Sequence, residues 1–182
     1  MLLKVKRLLL KPYFIYKRAS YSRKFQKFIL NQNILEELNV FDLDNTLADT
    51  YPNINQQDTN RMYVNLPVLE GMARLVKDKI HKKSTCIILT ARQYKYESAT
   101  KFWIRKNLSK NLLVIIVPSA YSKLAYLKIA SQKYKTVNYY DDLSYNHENG
   151  KVLFYKDIIE KLEPLSINYY DYGQIKEINN LN

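Results

Sequence analysis

A short apolar segment that ends in two carboxylates one residue apart limits the fold of this chain more than any other part of its sequence. The apolar residues between positions 38 and 41 are too few to form one face of a helix, and they lead directly into Asp42 and Asp44. This pattern predicts a buried strand near residues 37–42 that delivers both carboxylates into a loop. In an open α/β sheet, ligands bind in the crevice outside the carboxyl ends of the strands. We therefore expect a functional site at this loop.

The spacing of the two carboxylates allows them different chemical roles. With Leu43 between them, Asp42 can point at a substrate while Asp44 turns toward the leaving group. Asp42 is then the candidate nucleophile, and Asp44 is the candidate general acid and base. A carboxylate in this position can attack the phosphorus atom of a phosphorylated substrate. Because the phosphate and the carboxylates repel each other, this reaction requires a hard cation with oxygen ligands, such as Mg²⁺. The pair taken alone is equally consistent with a solvated turn, in which Asp is common.

A second apolar run predicts a strand over residues 85–90, which ends in Thr90 and continues into Ala91 and Arg92. This strand end presents a hydroxyl group and backbone N–H groups. The helix expected over residues 94–107 adds the positive end of its dipole at the same place. Together these groups predict an anion site.

A third apolar run predicts a strand over residues 112–117, and the helix that follows carries Lys123 in its first turn. A lysine there can reach a bound phosphate as a point charge. Lys128 is the competing candidate, but it lies five residues further along and faces elsewhere on the helix. We therefore favour Lys123 because it lies closer to the strand end.

The fourth predicted strand, over residues 136–140, runs into Asp141 and Asp142, whose carboxylates could complete a metal site. A helix over residues 68–80 is the expected crossover between the first two strands. Strands and helices alternate along the chain, which is typical of a parallel sheet covered by helices. We predict an α/β fold, namely a three-layer Rossmannoid parallel sheet flanked by helices.

The remaining carboxyl-terminal sequence carries weaker patterns. A hairpin-like strand over residues 151–155 and a helix over 156–162 are expected, and residues 164–182 either pack as a last strand or fray. His147 precedes an Asn-Gly turn signal. We interpret it as an exposed turn histidine, with contact to substrate as the alternative.

Four of these features, in this order and at these spacings, resemble the motifs of the haloacid dehalogenase superfamily. The first motif, DxDxT, is present as residues 42–46, and the second, a Thr or Ser that ends a strand, is Thr90. The third, a lysine, is Lys123, and the fourth, an acidic pair, is residues 141–142. The resemblance covers about residues 36–160. It implies a phosphoryl-transfer site assembled from the ends of four strands.

The resemblance implies a role for each acidic residue. Asp42 would attack the phosphoryl group and form an aspartyl phosphate. Asp44 would protonate the leaving oxygen and then activate the water that hydrolyses this intermediate. Mg²⁺ would be held by the Asp42 carboxylate, the Asp44 backbone carbonyl and the acidic pair. In that pair, Asp142 takes the place of the usual direct ligand and Asp141 the neighbouring one, and the division between these two roles stays open.

The resemblance also implies which groups bind the phosphoryl oxygens. Thr90, the backbone N–H of Ala91 and Lys123 would bind them and stabilise charge in the transition state. Arg92 either binds substrate phosphate or is a surface residue at the start of a helix. Asn45 belongs to the same phosphate- and substrate-binding group. It stands where many members carry glycine, and its tolerance of a left-handed backbone keeps the loop possible.

Members of the superfamily differ in the cap domain inserted beside the site. Here residues 50–67 leave room for a small flap only, and one helix and one strand fill the sequence between Arg92 and Lys123. We therefore expect a minimal cap or none, and a site open to a bulky phosphorylated substrate such as a macromolecule. The segment after Thr90 is also loosely similar to the phosphatase domains of polynucleotide kinase-phosphatases.

The function that the resemblance implies is hydrolysis of a phosphomonoester with Mg²⁺ as cofactor. Two alternatives stay open. One is a phosphatase that acts on polynucleotide or nucleotide ends. The other is a binding module that retains the fold without catalysis and uses a basic amino-terminal arm on nucleic acid or membrane.

That arm is the second unusual feature of the sequence. We divide the chain into a basic amphipathic arm, residues 1–35, and a catalytic domain, residues 36–182. No acidic residue occurs in the first thirty positions, although the whole chain has a formal net charge of +12. The basic residues of the arm are Lys4, Lys6, Arg7, Lys11, Lys17, Arg18, Arg23, Lys24 and Lys27.

Four interpretations of the arm stay open. It could be an amphipathic helix on an anionic membrane surface, a nucleic-acid contact with aromatic rings for stacking, or an organellar targeting peptide. It could also be a solvated helix that packs on the domain through an apolar face. The first three interpretations each require an anionic neighbour or receptor. The positive charge of the arm favours binding to such a partner.

The composition of 182 residues, 47% of them hydrophobic, is sufficient for a full core. No apolar run approaches the ~18 residues needed to span a bilayer. The lone cysteine, Cys86, lies in a predicted strand and has no partner for an intramolecular disulfide. We therefore expect the cytoplasm as the compartment, with association at a membrane surface as an option. The sequence does not indicate an oligomeric state.

Overall fold

The computed structural model of the protein describes residues 2–31, 36–50, 59–144 and 155–180, with side chains from residue 11 onward. The strands in these residues are β1 (Glu37–Phe41), β2 (Thr85–Thr90), β3 (Leu113–Ile116), β4 (Thr136–Tyr140) and β5 (Ile167–Tyr170). The helices are α1 (Leu2–Leu30), α2 (Asn60–Val64), α3 (Glu70–His81), α4 (Glu97–Asn107), α5 (Ala120–Lys133), α6 (Lys156–Leu162) and α7 (Tyr172–Ile178). A 3₁₀ turn, Tyr94–Tyr96, leads into α4.

The five strands form one parallel sheet in the order β3-β2-β1-β4-β5. Strand β1 is central, and its last residue, Phe41, is in register with Ile88 of β2 and with Tyr140 of β4. Strands β2 and β3 are almost continuously apolar, because a parallel sheet is buried by the helices that flank it. The strand order reverses between β1 and β4. The crevice outside their carboxyl ends is therefore where an open α/β sheet binds ligands.

Helix α1 packs on this domain through the carboxyl-terminal half of its length. Tyr21, Phe25 and Ile29 follow one another at intervals of four residues, so they share one helix face, and none of them is more than 4% exposed. The Tyr21 ring stacks on Tyr94 with centroids 5.9 Å apart, and Phe25 meets the edge of Tyr126 in α5 at 5.1 Å. This half of the helix therefore has the packed face that one interpretation of the arm expects.

The predicted fold class, an α/β parallel sheet flanked by helices, is confirmed. Residues 51–58 of the predicted flap lie outside the described residues. Strands β1 to β4 lie where the sequence predicts them, with ends that differ by at most one residue. The crossover helix α3 begins two residues later than predicted. The helix predicted from residue 94 begins as the 3₁₀ turn, and α4 proper starts at Glu97. Only that turn, α4 and β3 lie between Arg92 and α5, so no cap domain is inserted there.

The end of the chain is only partly as expected. Helix α6 occupies the predicted residues, and strand β5 is the expected last strand. Helix α7 was not predicted. It begins with a capping box in which Asp171 and Gln174 bond each other's backbone N–H groups. His147 and residues 151–154 of the predicted late strand lie outside the described residues. Among those described, no helix combines the length and apolarity needed to cross a bilayer.

Candidate active site

The sequence-predicted residues line one cavity of about 590 Å³ at the carboxyl edge of the sheet. β1 supplies Asp42, β2 supplies Thr90, and the loop after β4 supplies the acidic pair. Lys123 reaches the cavity from the first turn of α5. Its competitor, Lys128, is exposed and does not line the cavity. The parallel topology therefore brings together the strand ends that the sequence singles out.

Lys123 lies at the centre of the site, between two carboxylates. Its ammonium group is 2.6 Å from Asp42 Oδ1 and 2.6 Å from Asp141 Oδ2, and the side chain is only 3% exposed. Burial opposes its charge, but the two carboxylates outweigh burial and raise the pKa of Lys123. Tyr139 donates a further hydrogen bond from its hydroxyl to Asp141 Oδ2. Lys123 is therefore a charged strut that fixes Asp42 relative to β4.

The three buried carboxylates Asp42, Asp141 and Asp142 form a compact cluster. One oxygen atom from each lies within 4.8 Å of the others. Burial, with the neighbouring carboxylates adding to it, raises the pKa of Asp42 to about 7 despite the opposing effect of Lys123. Burial also raises the pKa of Asp142 well above its ordinary range, with Asp141 and Asp42 adding to the effect. Lys123 alone therefore does not supply enough positive charge to keep all three carboxylates ionised.

Asn45 supports the cluster from the loop after β1. Its side-chain amide donates to Asp142 Oδ2 at 3.0 Å. Its φ of 57° lies in the left-handed region, which asparagine adopts more readily than most residues. The turn is closed by hydrogen bonds from the Asn45 N–H to the Ala48 carbonyl and from the Ala48 N–H to the Leu43 carbonyl, both 2.8 Å. Asparagine therefore provides the left-handed residue that this turn contains.

The Asp44 carboxylate faces away from the cluster. It accepts hydrogen bonds from Arg92 Nε at 3.1 Å, from Arg92 Nη2 at 2.5 Å and from the Thr50 hydroxyl at 2.7 Å. Burial acts to raise the pKa of Asp44, but the charge and hydrogen bonds of Arg92 outweigh it, so the pKa is lowered. Asp42 and Asp44 thus have opposite electrostatic environments, although one residue separates them.

Arg92 is 5% exposed, so its interpretation as a surface residue is wrong. Its guanidinium group stacks over the Tyr63 ring of α2, with Cζ 4.4 Å from the ring centroid. Its backbone N–H donates to the Thr90 hydroxyl at 3.2 Å. Two of its guanidinium nitrogens bond Asp44, whereas Nη1 is buried without a hydrogen-bond partner. A buried donor without a partner is costly, so Nη1 is suited to an anionic ligand.

The donor set of the cluster is suited to a divalent cation. Four carboxylates, Asp42, Asp44, Asp141 and Asp142, share the cavity with the two cations Arg92 and Lys123. With all six groups ionised, two negative charges would be left without a partner. Ionised carboxylates at such spacing are not tolerated without compensation. Hard cations such as Mg²⁺ and Ca²⁺ take oxygen ligands of this kind. The buried triad could therefore hold a metal ion.

Comparison with known proteins adds no relative. No family model matches the chain, and no curated protein matches it. The function of the site must therefore be inferred from its own residues.

Sequence reasoning missed three residues that shape the site. Tyr139 had a usable signal, because it lies two positions before Asp141 on the same face of β4. Thr50 and Tyr63 had none, because the loop and the short helix α2 that carry them show no pattern tied to chemistry. Tyr63 shares the rim of the cavity with Met62, Tyr121 and Tyr155.

Proposed function

We propose that the chain is a Mg²⁺-dependent phosphomonoester hydrolase of the haloacid dehalogenase superfamily, with Asp42 as the nucleophile. The proposal rests on one observation: two carboxylates that are one residue apart have different bonding partners and lie on different sides of the site. Asp42 lies in the buried triad and bonds Lys123, whereas Asp44 bonds Arg92 outside the triad. A site that only holds a structural metal does not require Asp44 to lie apart from the triad. A nucleophile and a proton-transfer group require it.

Binding of the phosphoryl group would use the cations and hydroxyl at the rim of the triad. Lys123 and the unpartnered Nη1 of Arg92 are the available charges, and Thr90 ends β2 beside them. A phosphoryl oxygen that accepts from Nη1 would satisfy a donor that is otherwise buried without a partner. Thr90 and Lys123 are held by the sheet and by ion pairs, so these two donors need little reorganisation as charge develops in the transition state.

In the first half-reaction, an Asp42 carboxylate oxygen forms a bond to phosphorus while the bond from phosphorus to the alcohol oxygen breaks. The leaving oxygen takes a proton from Asp44, and an aspartyl phosphate remains. In the second half-reaction, water gives a proton to Asp44 and attacks the phosphorus, which releases inorganic phosphate and restores Asp42. Asp44 is a reasonable partner for both steps because the fixed loop holds it one residue from the nucleophile.

The ion pair between Arg92 and Asp44 affects the protonation state that each half-reaction requires of Asp44. In the geometry described here, Arg92 lowers the pKa of Asp44 and so favours the ionised carboxylate that accepts a proton from water. The first half-reaction instead needs Asp44 to carry a proton. Transfer of the Arg92 hydrogen bonds from Asp44 to the phosphoryl oxygens would remove the group that lowers this pKa. The bound substrate would thereby prepare its own general acid.

The metal would be held by Asp42 and Asp142, with Asp141 beside them and the Asp44 backbone carbonyl as a further ligand. Asp142 is the better direct ligand, because Asp141 is already bonded by Lys123 and Tyr139. When bound, Mg²⁺ would neutralise charge on the transferring phosphoryl group. The chain's own residues then have to place the nucleophile, bind the remaining oxygens and move the proton.

The test is phosphate release from a broad panel of phosphorylated compounds, with Mg²⁺ and with chelator. We expect activity only with the metal, and a loss of about a thousandfold or more in Asp42→Asn. The matched control is Asp78→Asn, which removes an exposed carboxylate of α3 and should leave the rate unchanged. Calorimetric titration should show weaker Mg²⁺ binding in Asp142→Asn. An Asp42→Asn variant as active as the parent would refute the nucleophile assignment. A folded chain inactive on the whole panel would favour the binding-module alternative.

A further inference from the structure

Helix α1 runs antiparallel to β1, so its amino-terminal half points toward the edge of the sheet that carries the site. Its last residue, Leu30, comes shortly before β1, which starts at the amino edge of the sheet with Glu37. Further back along the helix, Lys17 bonds Glu97 at 2.6 Å, and Phe14 contacts the Tyr94 ring at 5.9 Å. Tyr94 lies two residues beyond Arg92, at the carboxyl edge of β2. The helix therefore crosses the whole height of the domain.

The part of α1 before this contact extends beyond the edge that carries the site. Helix α1 begins at Leu2, so residues 2–13 add about 18 Å at the usual helical rise. Pro12 interrupts the hydrogen-bond ladder where the helix leaves the domain. We call residues 2–16 the projecting segment. The site and the projecting segment thus lie on the same side of the protein.

The described side chains of the projecting segment, residues 11–16, are all exposed, although Phe14 also contacts Tyr94. Its last four residues are all exposed although three are aromatic and one is aliphatic, with Tyr13 39%, Phe14 47%, Ile15 61% and Tyr16 62% exposed. Four consecutive residues point in all directions around a helix. No single partner helix could cover all of them at once. A fluid apolar environment could.

The sequence shows that the earlier residues of the projecting segment are also apolar and basic. Residues 2–10 comprise six aliphatic residues and three cations, and no acidic residue occurs before Glu36. Nucleic acid would attract the cations and stack on the aromatic rings, but it offers nothing to so many aliphatic side chains. The interface of an anionic bilayer accommodates the aliphatic side chains, the aromatic rings and the cations of the segment. Aliphatic side chains enter the acyl region, tyrosines lie at the headgroups, and Lys and Arg reach the anionic lipids.

We propose that the projecting segment of α1 docks the protein on anionic bilayers and turns the opening of the site toward the membrane. The docking does not depend on the proposed hydrolase function. If both hold, the phosphomonoesters that reach the site are those displayed at the bilayer surface. Because α1 does not combine the length and the apolarity needed to cross a bilayer, the proposed association is with the bilayer surface.

Binding of the full chain to vesicles tests the docking. The vesicles are phosphatidylcholine with about one third phosphatidylglycerol, and pure phosphatidylcholine vesicles are the reference. Lys4→Gln with Lys6→Gln should weaken binding by about fivefold for each lysine removed. Leu3→Gln with Leu9→Gln keeps the helix propensity and should weaken it tenfold or more. The matched control, Lys82→Gln with Lys133→Gln, makes the same change in charge at exposed positions on the opposite edge and should bind like the parent.

The outcomes separate lipid from other partners. If the control pair weakens binding as much as the Lys4 and Lys6 pair, attraction is by net charge alone and the proposal is refuted. If the leucine pair binds vesicles like the parent while an oligodeoxythymidine binds tightly and displaces them, the partner is nucleic acid and the proposal is equally refuted. Loss of vesicle binding in the leucine pair, with oligonucleotide binding unchanged, supports the bilayer.

Energy transfer to dansyl-headgroup lipids tests the orientation. Tyr121, in the first turn of α5, is 50% exposed at the rim of the cavity, and Lys133 ends the same helix about 20 Å away. The indole of Tyr121→Trp should transfer energy to the lipid more efficiently than that of Lys133→Trp. The native Trp103 is fully buried in both variants and supplies a common background. Equal or reversed transfer would overturn the orientation, whatever the result of the phosphatase assay.

Discussion

Removal of the Lys123 ammonium group should destabilise the domain more than the loss of any exposed lysine. In Lys123→Met the side chain keeps a similar volume, but Asp42 and Asp141 each lose an ion pair of 2.6 Å. Lys123 is 3% exposed and Asp141 is 1% exposed, so water cannot replace the ammonium group without disrupting the packing. The cavity would then hold four carboxylates against Arg92 alone.

The expected loss is about 3–5 kcal/mol of unfolding free energy, the usual cost of breaking a buried ion pair from one side. The loss should depend on pH. Asp42 already holds its proton more tightly in the folded state than its ordinary pKa of 3.8, and removal of the lysine raises that pKa further. A carboxyl group of this kind favours folding while it is protonated and loses the advantage as the pH rises above 3.8. The variant should therefore be closer to the parent at pH 5 than at pH 8.

Urea denaturation in metal-free buffer measures the effect, with Lys128→Met as the matched control. Lys128 lies on the same helix but is exposed, and it takes part in no ion pair within the described residues. Its substitution should change stability by about 0.5 kcal/mol or less. Adding Asp141→Asn to Lys123→Met should restore about 1–3 kcal/mol, because one uncompensated charge is removed. A loss below about 1 kcal/mol at pH 8, or equal losses at both pH values, would refute the assignment of Lys123 as a charged strut.

Two further predictions concern the packing around the site. Bonds to Lys101 and Lys17 outweigh burial and lower the pKa of Glu97 to about 2. Its stabilising effect of about 1 kcal/mol should therefore be present above pH 4.5 and be lost between pH 4.5 and 2, and Glu97→Gln should abolish this part of the pH dependence in urea titrations. Gly71→Ala should lower stability by about 1–3 kcal/mol in the same assay, because a Cβ at this position would lie 2.0 Å from the Ile178 carbonyl oxygen. Gly173→Ala, which meets only a side-chain oxygen at 3.2 Å, should cost less, and equal losses would contradict the proposed clash.

The order and positions of the strands along the chain were predictable, because they depend on apolar patterns in the sequence and not on how individual side chains pack. Apolar runs of four to six residues are typical of buried strands, and parallel strands with intervening helices put all their carboxyl ends at one edge. The convergence of Asp42, Thr90 and Asp142 follows from that topology alone. The preference for Lys123 over Lys128 follows from the periodicity of the helix, which allows only one of them to face the strand end.

The side-chain partners were not predictable in the same way. Arg92 could have bonded a substrate, water or a carboxylate, and only the folded geometry places it on Asp44 and over Tyr63. The packing of α1 was also hidden, because apolar and basic residues are spread around the whole helix. Tyr21, Phe25 and Ile29 are the hydrophobic residues of α1 that are buried on the domain. Which of several apolar faces is buried depends on the surface that meets it, and this surface comes from distant parts of the chain.

The contacts of α1 also affect the order in which the chain can fold during synthesis. Its anchoring rings, Tyr21 and Phe25, pack against Tyr94 and Tyr126, which follow about 70 and 100 residues later. At about 5–20 residues per second, the ribosome needs roughly 4–20 seconds to supply these partners. During that interval the newly made helix has its apolar side chains unburied. Chaperones or a nearby anionic membrane would therefore meet α1 before the sheet exists, and the nascent chain could reach the bilayer before the cavity at the carboxyl edge of the sheet has formed.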